Sequence, residues 1–356
     1  MIHFFDKIKQ HKSQNLPFVM YSKPSSESVF ALLQSNATLC KVEDFTEKGF
    51  VFASFDGSQA FLIPQSLSEI IQTTFECKSI SSTQQLPVLY EKETQANFEN
   101  LVQSGIEAIK KGEFKKVVLS REEVIELPNF DFISFFEDLL SLYQSTFVYC
   151  FFHPEIGFWM GATPEQLLQV NQHTFETTAL AGTQKEAGLD SEIVWQQKEK
   201  EEQQYVTDFI LKKLKKVATD VVVSQPYSLK AGAIWHIKTD ISGKMNSNSS
   251  IKDILDLLHP TPAVCGLPKK KAMEFILDKE PYNRTFYSGF LGELNTNFEK
   301  KTNGSDLFVN LRCMQIQENQ AKLYMGCGIT QDSIPEKEWE ESVNKSQTMK
   351  RGLGNR

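Results

Sequence analysis

The sequence predicts an α+β fold with sheets stacked as a sandwich. Three observations carry this. Short extended segments come in runs between longer amphipathic ones, without the regular strand–helix–strand alternation of a doubly wound sheet. The chain has 356 residues and 27 phenylalanines, enough to bury a sizeable core. Two long stretches, one ending near residue 214 and one closing the chain, have helical periodicity.

The elements follow in order. Within residues 1–80, GFVFASF and AFLIP read as strands with turns between them. The polar SISSTQQLPVLYEKETQ, with one proline, reads as a linker or surface crossing, so that residues 1–90 form an N-terminal region and 91–356 the main one. ENLVQSGIEAIKKGEF places Leu101, Ile106 and Ile109 at helical spacing, with Gly112 as its stop. KKVVLSREEVIEL is extended, FISFFEDLLSLY is a helix, and FVYCFF and GFWMGAT are two further strands. SEIVWQQKEKEEQQYVTDFILKKL and PEKEWEESVNKSQTMKRGL are amphipathic helices.

Composition narrows the function. A net charge of −7 leaves no basic footprint for nucleic acid. No stretch approaches the roughly 18 apolar residues of a membrane span, and the first residues lack the apolar core of a signal peptide, so a cytoplasmic protein is expected. Cys40, Cys77, Cys150, Cys265, Cys313 and Cys327 form no CxxC pair, which argues for reduced thiols over disulfides or a zinc site.

Several residues could carry chemistry, each with a plainer reading beside it. Lys116 enters an apolar strand, where burial would lower its pKa and let a neutral amine act as a base; otherwise it is a surface lysine at a strand edge. In GATPEQLL, Thr163 suits an N-cap, Pro164 the first helical position and Glu165 the first turn, either as a dipole partner or as an acid. Glu199 and Glu202 fall near the apolar side of their helix. Glu338, Glu341 and Lys345 share one helical face, as a surface ion-pair ladder or as a magnesium-binding face. Arg312 interrupts an apolar run and needs an anionic partner, either a protein carboxylate or a substrate one. The small-residue segments AGT (181–183) and GCGIT (326–330) are tight turns or places where backbone meets a ligand, and His236 is a core histidine or a site residue.

The order of these segments is more specific than any one of them. KVVLSR, GATPEQLL, ALAGTQ, KEKEEQQYV, WHIKTDISGK, LHPTPAVCGLP, YSGFLGEL, LFVNLRC, GCGIT and EWEESVNKSQTM follow one another from about residue 92 to the end. In this the chain resembles the chorismate-utilising enzymes, which include isochorismate synthases, salicylate synthases, anthranilate synthase component I and aminodeoxychorismate synthase. The resemblance implies a large sandwich of antiparallel sheets with outer helices, completed by the N-terminal region. It implies chorismate as substrate, Mg2+ as cofactor, and isomerisation of chorismate feeding menaquinone or siderophore synthesis.

Roles are implied for single residues too. Lys116 matches the lysine that activates water, Glu165 the acid that protonates the departing hydroxyl, and His236 a histidine close to the ring. Glu202, Glu338 and Glu341 match carboxylates of the magnesium site. Gly182, Thr183, Tyr287, Arg312, Gly326, Gly328 and Lys345 match positions that hold the substrate's carboxylates. Ala263 is small, as in the isochorismate-forming members, where salicylate synthases tend to carry a bulkier or hydroxyl-bearing side chain. Lys116 itself, and the absence of an LLES segment, separate the chain from anthranilate synthases, so no amidotransferase subunit is expected; Ala181 separates it from aminodeoxychorismate synthases. Salicylate formation and a catalytically silent chorismate-binding protein are the alternatives. Gln203 departs from the family's usual histidine. A monomer is expected.

Overall fold

The computed structural model describes residues 2–78, 92–185, 193–231 and 234–353. Most of the segment read as a linker falls outside these residues. The chain begins with α1 (Ile2–Ser13), β1 (Phe18–Ser22), β2 (Ser28–Gln34), β3 (Cys40–Lys41), β4 (Gly49–Ala53), β5 (Ala60–Pro64) and β6 (Ser68–Thr74). Then follow α2 (Lys92–Lys110), β7 (Lys116–Glu126), α3 (Phe132–Leu142), β8 (Phe147–His153), β9 (Gly157–Thr163), β10 (Gln166–Asn171) and β11 (Thr174–Lys185). The next elements are α4 (Gln197–Leu214), β12 (Ala218–Val223), β13 (Tyr227–Ala231), β14 (Ile234–Met245), α5 (Ile251–Leu258), β15 (Gly266–Leu267) and α6 (Lys269–Lys279). β16 (Phe290–Leu294), β17 (Gly304–Val309), β18 (Cys313–Gln317), β19 (Gln320–Ile329) and α7 (Pro335–Leu353) complete it.

The strands form two antiparallel sheets. One has the order β15-β7-β19-β18-β9-β8-β1-β2-β6, the other β12-β14-β11-β10-β17-β16-β4-β5-β3, with β13 also on β14. Alternation places one set of side chains between the sheets and the other under helices. Phe50 and Phe52 of β4 point inward, while Val51 and Ala53 point outward. Strands buried on both faces explain why their sequences read as unbroken apolar runs.

The phenylalanines fill the space between the sheets. Phe52 stacks on Phe286 and on Phe151 with ring centroids 4.5 Å apart in each case. Phe147 meets Phe308 at 4.4 Å. On the outside, α1, α3 and α7 cover the first sheet, α2 and α6 with part of α7 cover its β7–β19 end, and α4 and α5 cover the second sheet.

Two strand connections cross from sheet to sheet side by side. β9 passes to β10 through Pro164 and Glu165, and β17 passes to β18 through Asn310, Leu311 and Arg312. The crossings are bonded together: Val309 N donates to Glu165 O at 2.9 Å, Ala162 N to Arg312 O at 3.0 Å, and Thr163 Oγ1 to Val309 O at 2.6 Å. This corrects the helical expectation for GATPEQLL. Pro164 breaks the ladder where the chain changes sheets, and Thr163 ends a strand instead of capping a helix. AGT lies inside β11, and the first four residues of GCGIT close β19, so neither segment is a turn. Arg312 adopts φ +48° at its crossing, outside any strand.

Candidate active site

A cavity opens where the crossings leave the two sheets apart. β19 pairs with β7 along its whole length but with β18 only at Gln320–Leu323, so its later residues have one edge without a strand neighbour. α7 fills that edge: Lys345 Nζ donates to Gly326 O at 2.8 Å. The cavity is lined by Glu165, Arg312, Glu202, His236, Glu341 and Lys345, with walls that include Val118, Gly182, Ala263, Tyr287, Gly326 and Gly328. Eleven of the fourteen positions predicted from sequence are thereby gathered from both sheets, two helices and the connections between them, while Lys116, Thr183 and Glu338 do not line the cavity.

Lys116 is the first residue of β7 and is fully buried. Its Nζ lies 2.8 Å from Oε1 of Glu202 on α4. Gly328 makes this pair possible: a Cβ there would come 2.3 Å from Glu202 Oε1 and 3.2 Å from Lys116 Cε, so only hydrogen fits. Lys116 is therefore not a surface lysine at a strand edge: it is buried, with Glu202 as its partner.

Glu165 shows the opposite balance. Burial raises its carboxyl from the usual 4.5 to about 8, against the opposing pull of Lys116, Arg312 and Lys345. It therefore carries a proton at neutral pH and can donate it. Desolvation outweighs three cations because a carboxylate here would exchange its hydration for little direct hydrogen bonding.

Two cations face the cavity for anions. Arg312 is desolvated, and among the described residues its Nη1 meets no hydrogen-bond acceptor. A buried guanidinium in that state offers a fork to a carboxylate ligand. Lys345 pairs with Glu341 at 2.6 Å, one turn apart on α7.

His236, on β14, is held neutral: burial lowers its pKa to about 3. Its Nδ1 lies 3.0 Å from Gly182 O, which can only accept, so Nδ1 carries the hydrogen and Nε2 presents a lone pair. Gly182 has φ +73° and sits in a β-bulge, since the β11–β14 register shifts between Ala181 and Thr183. Thr183 pairs with His236 across that ladder. The bulge turns the Gly182 carbonyl to the imidazole.

The expected magnesium carboxylates fall into two groups. Among the described residues, ligand atoms of Glu338, Glu341 and Cys327 lie within 4.8 Å of one another. Glu338 is buried beside the cavity without lining it. Cys327 is no ligand for a hard ion. Its Sγ donates to Glu338 O at 3.2 Å, and burial pushes its thiol well above the usual range. Glu202 opens onto the same cavity as Glu341 but is turned to Lys116. The oxygen donors fit magnesium in kind.

Val118, Leu180, Val264, Ser288, Leu311, Tyr324 and Met325 also line the cavity and were not singled out from sequence, and Pro164 was read only as a helix start. Their neighbours in motifs were the available signal: Pro164 precedes Glu165, and Leu311 precedes Arg312.

Fold and cavity together define a sandwich protein with an acid–base site for a small anionic ligand. A family model described as chorismate binding enzyme matches residues 51–354, and the chain belongs to that family. The isochorismate synthase EntC of Escherichia coli (strain K12) is 31% identical over 268 residues, 72% of this chain and 66% of its own. The isochorismate synthase MenF of Pasteurella multocida (strain Pm70) is 28% identical over 291 residues, 77% and 65%. The chain thus spans a little under two thirds of these relatives' length. Among solved structures, MenF, the menaquinone-specific isochorismate synthase from Escherichia coli, shares the fold with a TM-score of 0.78 at 22% identity, over 96% of this chain and 89% of its own.

Proposed function

We propose that this protein is a magnesium-dependent isochorismate synthase. The carrying observation is one cavity lined by protonated Glu165, desolvated Arg312 and Glu202, which the fully buried Lys116 reaches through its 2.8 Å contact with the Glu202 carboxylate. Isochorismate formation needs that set. Water adds to the ring carbon beside the one bearing the carboxylate, both ring double bonds shift by one position, and the C–O bond to the hydroxyl across the ring breaks. Lys116 receives the proton lost by the water, and Glu165 gives its proton to the hydroxyl, which leaves as water. The reaction needs a proton on Glu165, and burial of that carboxyl supplies this condition.

Arg312 and Lys345 suit the substrate's carboxylates. The neutral His236 suits a ring hydroxyl as donor to its Nε2. Glu202, Glu338 and Glu341 would hold magnesium, which supplies charge neutralisation of the ring carboxylate and electron withdrawal from the ring. The named isochorismate synthases among the relatives support the same reading.

The test is chromatography of products from chorismate with and without magnesium. Isochorismate, formed only with the metal, is expected. Salicylate with pyruvate, an aminated product, or no product would each overturn the reading. Lys116→Ala and Glu165→Gln should each lower turnover at least about a hundredfold, the usual scale of acid–base assistance, while chorismate still binds. Near-parental rates in both would remove the mechanism.

A further inference from the structure

Behind the wall formed by Val118 and Val264 lies a polar cluster that the proposed reaction does not use. Arg284 is 2% exposed. It grips the carboxylate of Glu280 twice, Nε to Oε2 at 2.7 Å and Nη2 to Oε1 at 2.5 Å. Two further hydrogens go to backbone: Nη2 donates to Val118 O at 2.7 Å and Nη1 to Val264 O at 3.0 Å. Glu280 Oε1 also accepts from the amide and the hydroxyl of Ser120, at 2.7 and 2.8 Å. The guanidinium lies 4.5 Å from the Phe55 ring, and Arg284 O accepts from Tyr287 N at 2.8 Å.

Topology shows what this cluster can control. Val118 stands two residues from Lys116 on the same face of β7, and Val264 adjoins Ala263. β15 pairs with β7 only through Gly266 and Leu267, opposite Val117 and Lys116. Beyond that short register, Lys115 N donates to Leu267 O at 2.7 Å on one side, and on the cavity side the spacing between β7 and the wall segment rests on Val118 N donating to Cys265 O at 2.8 Å and on the Arg284 fork. A guanidinium is planar and rigid, so gripping both carbonyls at once defines a distance; a flexible lysine ammonium does not.

We infer that Glu280 and Arg284 are positioning residues, which set the gap between the strand bearing Lys116 and the Ala263–Val264 wall and so aim the amine at the ring. The inference rests on the functional reading above. Its test uses Arg284→Lys and Glu280→Gln in the full chain, with amide hydrogen exchange and chorismate kinetics as readouts. Arg284→Lys should speed exchange in segments 116–120 and 261–265 by at least about tenfold, while β1 and β8 keep parental rates. Its kcat should fall about tenfold or more with KM within about threefold of the parent, and Glu280→Gln should follow the same split. A pair that only supports the fold would speed exchange throughout and leave kcat and KM unchanged; that result, or unaltered exchange in both segments, overturns the inference. If these variants do not fold, Ser120→Ala removes a single bond to Glu280. It should reproduce the local exchange and lower kcat by about two- to fivefold, and parental values in both readouts overturn the inference. Should the parent leave chorismate untouched, the functional reading falls, and the exchange pattern alone decides the role of the pair.

Discussion

Glu165 shows how a single burial sets a site's chemistry. The carboxyl keeps its proton in the folded protein up to about pH 8, whereas the unfolded chain loses it near 4.5. Between those values the unfolded state binds fewer protons, so rising pH erodes stability across that window while the acid stays usable. Above about 8 the acid form is lost. The plot of kcat/KM against pH should therefore carry a descending limb centred near 8, which Glu165→Gln should abolish along with most of the rate. Chorismate consumption measured from about pH 6 to about pH 9.5 checks this. A limb that survives the substitution would assign it to another group. His236 adds no limb in that range, since its pKa is lowered to about 3.

At the scale of elements, α4 must carry Glu202 to a fixed place over the second sheet. Its buried residues, Gln203, Val206, Thr207, Phe209, Ile210 and Leu214, recur at three- and four-residue spacing. Gln203 adds a directional tie. Its Nε2 donates to Thr207 Oγ1 at 2.9 Å within the helix and to Thr239 Oγ1 at 2.7 Å on β14. The amide that stands in place of the family's usual histidine is thus a helix-to-sheet anchor directly beside Glu202. Gln203→Ala should cost about 1–3 kcal/mol of stability in urea titration, since it strips a buried hydroxyl of its partner. On the proposed reading, with magnesium held by Glu202, it should also raise the magnesium concentration needed for half-maximal turnover severalfold more than it raises KM for chorismate. Equal effects on the two would mean that the anchor does not set Glu202.

For the whole molecule, the aromatic layer between the sheets holds the crossings in register. Phe52 touches four ring systems, Tyr149, Phe151, Trp159 and Phe286. Trp159 continues the stack to Tyr324 and Tyr287 in the cavity wall, with centroids 5.5 and 5.3 Å apart. Phe52→Ala should lower stability by about 3–5 kcal/mol, read from the denaturant midpoint, because neighbouring rings fixed from both sheets cannot collapse into the void. A loss below about 1 kcal/mol would show that the layer relaxes freely.

Sequence by itself determined the sandwich class, the extents of α3 and α7 and the strand character of the segments at Lys116, Phe147 and Gly157. Periodicity and unbroken apolar runs report burial, and burial is what those elements share. The ordered motifs also named most of the cavity lining. They did so without distance information, so single segments could not choose between Arg312 as an ion-pair partner and Arg312 as an open anion receptor. The tertiary structure decided three further matters. Glu165 lies in a sheet crossing, because Pro164 serves strand exit as readily as helix entry. Lys116 sits against Glu202, across hundreds of possible pairings that local pattern cannot rank. Arg284 and Glu280 bind the cavity wall from behind, through Val118 O and Val264 O, although nothing in their own segment marks them. Local chemistry is written along the chain, whereas desolvation and ion pairing depend on which distant residues meet.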